Sequence, residues 1–116
     1  MNTGAGRKLK RPTGHRFALL RNMSASLLHH EKVETTVAKA REVSRFTDRL
    51  ITKAKANDLH ARRLVAKDLK DKAVMAKLFN VIAPRYKERP GGYTQLIRVG
   101  RRLSDGAEMG ILRLVA

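Results

Sequence analysis

Two hydrophobic periods divide this chain of 116 residues. Between Thr13 and Ile82 apolar positions recur every three or four residues, as on one helix face. From Tyr93 onward they alternate, as in a strand. Phe17, Leu20, Leu27 and Leu28 fall near one face of a helix that Thr13 or Gly14 can cap and that runs to about His30. Ser24 interrupts that stripe, and Arg16 and Arg21 point elsewhere. Lys32–Thr36, with β-branched Val33, Thr35 and Thr36, predicts a brief strand. Thr36 can cap a second helix from Val37 to about Ala56, striped by Ala40, Val43, Leu50 and Ala54 with Phe46 and Ile51 beside them. Asn57 can end it, and Asp58 can cap a third helix, Leu59–Leu69, with Leu64, Val65 and Leu69 inward. Asp71 starts a fourth, Lys72 to about Ile82, with Val74, Leu78, Val81 and Ile82 as its stripe and Met75 and Phe79 widening it. Pro84 closes this helix or distorts its last turn.

Gly91-Gly92 is a strong break. Tyr93–Val99 and Met109–Val115 read as two strands joined by the loop Gly100–Glu108, an antiparallel hairpin. A lone hairpin is only marginally stable, so the strand at Val33–Thr36 is expected to lie alongside. The fold class is therefore α+β: about four helices packed on a small mixed sheet of about three short strands. Residues 1–12 have no hydrophobic period and are punctuated by Gly4, Gly6 and Pro12. They are expected to form an extended basic arm, disordered in the free protein, ahead of a single domain at 13–116.

Charge changes the picture from fold to partner. The formal net charge is +16 with a pI near 11.3, which points to nucleic acid first and to an anionic membrane second. Residues 1–30 carry six basic and no acidic side chains, and residues 59–90 carry nine basic and three acidic. These two stretches are the expected contact surfaces. In the second helix Lys39, Arg41, Arg45, Arg49, Lys53 and Lys55 cover the outer face, tempered by Glu42 and Asp48. A solvated face explains most of these as well as RNA contact does. Cysteine is absent, which excludes disulfides, thiolate catalysis and cysteine-ligated zinc. No apolar run approaches the ~20 residues of a membrane span, and the start lacks the apolar core of a secretory signal.

Catalytic chemistry is thin. Glu31 and Glu34 lie beside a short strand, and Ser24, His15 and Asp48 make a triad only if geometry is ignored. His29-His30-Glu31 suggests a metal, but adjacent helical residues diverge by about 100° and no third ligand follows at fixed spacing. A polar helix end, where His favours the negative dipole, is the better reading. Neither a metal nor a cofactor is expected. The RNA reading is stronger. Arginine can fork two donors onto a phosphate, and affinity built on phosphate contacts falls steeply with salt. Only five aromatic residues are present, with Phe17, Phe46 and Phe79 in core stripes. That argues against a base-stacking single-strand binder and for recognition of folded RNA by shape and backbone. Tyr93, beside the Gly pair, suits packing or RNA contact equally.

The residues Gly6–Arg16, GRKLKRPTGHR, then Leu20-Arg21-Asn22-Met23, His30-Glu31 and Thr35–Ala40, resemble the bacterial ribosomal large-subunit protein L-seventeen family. So do His60–Arg63, Lys77-Leu78-Phe79, Pro84-Arg85-Tyr86, Arg89–Thr94 and Ala107-Glu108-Met109, in the same order along essentially the whole chain. The resemblance implies an α+β protein of the cytoplasmic ribosome that binds large-subunit ribosomal RNA near the peptide exit tunnel, beside neighbouring large-subunit proteins. It implies no membrane and no small-molecule substrate. Charge and resemblance together nominate Arg7, Lys8, Lys10, Arg11, His15, Arg16, Arg21, Asn22, Arg62, Arg63, Arg85, Tyr93, Arg101 and Arg102 as RNA-binding. The chain departs from the family pattern at Asn2-Thr3, Val43-Ser44 and Gln95, so no contact is transferred there. The alternative is a free-standing nucleic-acid-binding regulator or nucleoid protein. That would call for a dimer or a groove-reading helix, and no helix-turn-helix signal stands out.

Overall fold

The computed structural model describes residues 13–115. Its first helix, α1 (Thr13–His30), buries Leu20, Ser24, Leu27 and Leu28. It ends at Glu31, whose φ of 66° is left-handed and whose N–H returns to the Leu27 carbonyl at 2.7 Å. A non-glycine residue there costs about 1–2 kcal/mol, and Glu31 is held in place by a forked pair with Arg85 at 2.6 and 3.1 Å and by Lys77 at 3.1 Å. Strand β1 (Lys32–Thr36) follows, and Thr36 caps α2 (Val37–Ala54) by accepting the Lys39 N–H at 3.4 Å. Every residue expected in the α2 stripe is buried.

Helix α3 (Leu59–Ala66) starts where Asp58 accepts the Ala61 N–H at 2.7 Å and stops short of Leu69, which is nevertheless buried. Asp71 caps α4 by accepting from Ala73 and Val74. This helix begins α-helical at Lys72–Lys77, widens to a π-helical turn at Leu78–Ile82 and regains α geometry at Ala83–Arg85. Pro84 has no N–H to offer the Asn80 carbonyl four residues back, and its ring clashes with a normal turn there. The widened turn relieves that clash, and the Ala83 N–H reaches back to Leu78. It also brings residue i+4 rather than i+3 back over residue i. Leu78, Ile82 and Tyr86 therefore point inward, and Val81, expected in the stripe, is 47% exposed.

The sheet has order β1-β3-β2, with β2 (Thr94–Arg101) and β3 (Glu108–Leu114) forming the hairpin. Both neighbouring pairs are antiparallel, so the mixed sheet expected from sequence is corrected to an antiparallel one. β1 and β2 run the same way, but β3 lies between them and neither pairs with the other. The ladder extends to Arg101 opposite Glu108, past a bulge at Arg98/Gly100 where Gly100 has a φ of 114°. The hairpin loop is therefore shorter than expected. Val33, Leu112 and Leu96 share the face that packs on the helices, while Ile97 and Val99 are exposed. Gly110 sits where α2 meets this face. A Cβ there would meet Leu96 Cδ1 at 2.7 Å and the Ile97 carbonyl at 3.2 Å, so it would displace the Leu96 side chain and press on the β2 backbone. Leu27, Leu50, Ile51, Leu78, Phe79 and Tyr93 join Leu112 in the core.

Candidate nucleic-acid interface

Arg7, Lys8, Lys10 and Arg11 lie outside the described residues. The remaining nominated side chains fall on α1, on α3, at the end of α4, at the start of β2 and at the hairpin tip. His15, Arg21 and Asn22 are exposed on α1. Arg21 Nε donates to Asp68 at 3.2 Å, and its guanidinium lies 6.0 Å from the Phe17 ring. Arg16 does not point away from the core as expected. It is 6% exposed and pairs with the buried Glu42 at 3.3 Å, and its Nε has no hydrogen-bond partner among the described residues. The second Glu42 oxygen accepts from Arg45 at 2.6 Å. An inward arginine is tolerated here because an equally buried carboxylate offsets its charge.

On α3, Arg62 stacks over Phe79 at 4.5 Å and donates to Asn57 at 3.1 Å, and Arg63 is exposed beside it. Arg85 is committed to Glu31, and that fork, helped by Lys77, holds the Glu31 carboxyl at about 2, well below the usual carboxylate range. Tyr93 takes the packing alternative. It is wholly buried, its ring lies 5.2 Å from Tyr86, and Lys55 donates to its hydroxyl at 3.0 Å. At the hairpin, Arg101 donates to the Gly106 carbonyl at 2.9 Å, and Arg102 forks onto Asp105 at 3.0 and 2.7 Å. Arg102, with a backbone N–H from Ala107, holds Asp105 at about 2.

One set of cations was not nominated. Arg41, Arg45, Arg49 and Lys53 are all exposed along α2. Spaced four apart, they form a ridge rising about 6 Å per step and about 18 Å in all. The signal is legible as a four-residue repeat, but from sequence a solvated face explains most of it as well as RNA contact does. Arg98 chiefly, with Arg101 and with Arg41 at the start of the ridge, holds the Glu108 carboxyl below its ordinary range. The flank of α2 facing β2 is different. There burial pushes the Asp48 carboxyl up, against hydrogen bonds from Thr94 and the Tyr93 backbone. Among the described residues no three metal-ligating side chains come together, and no helix is long and apolar enough to cross a membrane.

The described residues form a small basic α+β module whose surface cations are in part pinned by carboxylates and in part not. The comparisons identify it further. The model of the family Ribosomal protein L17 matches residues 19–115, and the chain belongs to that family. It is 53% identical over 110 residues to the large ribosomal subunit protein bL17 of Anaeromyxobacter sp. (strain K), covering 95% of this chain and 70% of that protein. The bL17 of Thermus thermophilus is 52% identical over 112 residues, covering 96% and 95%. That of Trichlorobacter lovleyi is 48% identical over 114 residues, covering 98% and 92%.

Proposed function

We propose that this protein is a structural constituent of the large ribosomal subunit in the cytoplasm, binds large-subunit ribosomal RNA by neutralising phosphates, and catalyses no reaction. Membership of the Ribosomal protein L17 family carries the reading. The net charge of +16 supports the partner. The exposed ridge on α2 supports the mode of binding. Arg7, Lys8, Lys10 and Arg11 act as one clamp on the RNA, while Arg63 and the α2 ridge hold outlying phosphates. Arg16 and Tyr93 contribute by holding the fold. The neighbours are other large-subunit proteins near the peptide exit tunnel, and assembly and translation are the processes served.

Counterion release gives this reading a quantitative form, since each phosphate contact steepens the fall of affinity with salt. Replacing Arg7, Lys8, Lys10 and Arg11 together by Gln is expected to flatten the salt dependence of filter binding to large-subunit RNA and to impair incorporation into subunits. Unchanged incorporation would show that those residues are not the clamp.

A further inference from the structure

Where the C-terminal turn of α2 meets α4, the surface is hollowed into a cleft of about 320 Å³. Its floor is apolar, made by the exposed Pro84 with Ala54, Phe79 and Ala83, which are almost wholly buried, and its edge carries Lys55, Asn57 and Lys87. None of these described residues is acidic. Two local features shape it. The π-helical turn at Leu78–Ile82 brings Phe79 and Ala83 onto one side. Asn57, at a φ of 51°, lets the chain break away between α2 and α3. The volume lies at the lower end of the roughly 300–1,000 Å³ range of ligand pockets.

The polar edge is set by its neighbours. Arg62 lies over the Phe79 ring and donates to Asn57 Oδ1 at 3.1 Å. A guanidinium only donates, so the Asn57 oxygen is the atom turned to Arg62, and the Nδ2 hydrogens are left for an acceptor. Lys55 Nζ is fixed between the Arg89 carbonyl at 2.5 Å and the Tyr93 hydroxyl at 3.0 Å. Lys87 is exposed. A ligand matching this edge and floor has a flat apolar body, hydrogen-bond acceptors on its rim and attached negative charge. A bare anion leaves the apolar floor unused, and an apolar peptide leaves two lysines unmatched.

We propose that the cleft receives one unstacked nucleobase of RNA, with Asn57 donating to an acceptor on the base edge and Lys55 and Lys87 meeting the adjoining phosphates. The proposal rests on the RNA-binding reading above. It adds a base contact to a molecule whose other described contacts would be to backbone. Unstacked bases are the usual route by which proteins read RNA sequence.

Amide NMR of the full chain tests it, titrating each of the four nucleoside 5′-monophosphates in turn and ribose 5-phosphate as the baseless control. At least one mononucleotide should move the amides of Asn57, Phe79, Ala83 and Lys87 along a saturable curve that ribose 5-phosphate does not reproduce. Asn57→Gly tolerates the left-handed backbone and should weaken the preferred mononucleotide about tenfold without changing ribose 5-phosphate binding. Equal responses to the sugar phosphate, or amides that stay still with all five probes, would overturn the cleft. Filter binding to large-subunit RNA separates the two levels. Retained salt-dependent binding beside a silent cleft removes this site alone, and loss of all RNA binding removes the reading beneath it too.

Discussion

The outer face of α2 and the tip of the β2–β3 hairpin both expose arginines, but they hold them differently. At the hairpin, Arg102 forks onto Asp105 and Arg101 is turned onto the Gly106 carbonyl. The arginines there close their own loop. On α2, Arg41, Arg49 and Lys53 project from a rigid helix, and Arg45 is tied to Glu42, which reaches it from the interior. Equal charge in two regions therefore does not mean equal availability to a phosphate. The helix presents pre-spaced cations, while at the hairpin an ion pair must break before Arg102 is free and a carbonyl must be given up before Arg101 is.

The largest effect expected from breaking this arrangement is on stability. Glu42→Ala leaves the buried Arg16 guanidinium without its partner, at roughly 3–5 kcal/mol, read as a lower urea midpoint. A loss below about 1 kcal/mol would mean that Glu42 does not anchor α2 to α1. Next comes RNA binding. Arg41→Gln, Arg49→Gln and Lys53→Gln together should lower the slope of log affinity against log salt by about three. Arg101→Gln with Arg102→Gln should change it by less than about one. Equal loss per cation in the two regions would erase the distinction.

A smaller effect belongs to Glu31. Its folded carboxyl titrates at about 2 against 4.5 for the unperturbed group. The fork therefore contributes its stability above the unfolded value and loses it as pH falls from about 4.5 through about 2. Glu31 is 36% exposed, so solvent screening reduces the contribution to about 1 kcal/mol at neutral pH. Glu31→Gln should lower the urea midpoint at pH 7, and the gap to wild type should close near pH 2. A gap constant with pH would mean that the charge of Glu31 is not what stabilises the fold. The smallest effect sharpens the comparison directly. Asp105→Asn frees Arg102 and should raise RNA affinity slightly, with a steeper salt slope, in filter binding.

Much of this architecture was legible because it is local. Thr36, Asp58 and Asp71 announce helix starts by their own side chains, and all three accept the expected backbone N–H groups. The α2 stripe follows from spacing alone. What escaped depends on distant partners or on phase. Arg16 turns inward because of Glu42, 26 residues away. Val81 turns outward because Pro84 forces a wider turn that resets the helical period. Alternation in Tyr93–Val99 could not say which face would meet the helices, and it is Leu96, not Ile97 or Val99, that packs there. Among the nominated cations, basic residues could be counted from sequence. Their capture by Asp68, Glu31 or Asp105 could not, since two of those three acids lie 47 and 54 residues away.

The most direct test of the central claim is sedimentation of a lysate through a sucrose gradient, first in moderate and then in high salt, probing each fraction for this chain. Co-migration with the large subunit that persists through the high-salt wash is the predicted result. Recovery only at the top of the gradient, or together with DNA, would contradict it.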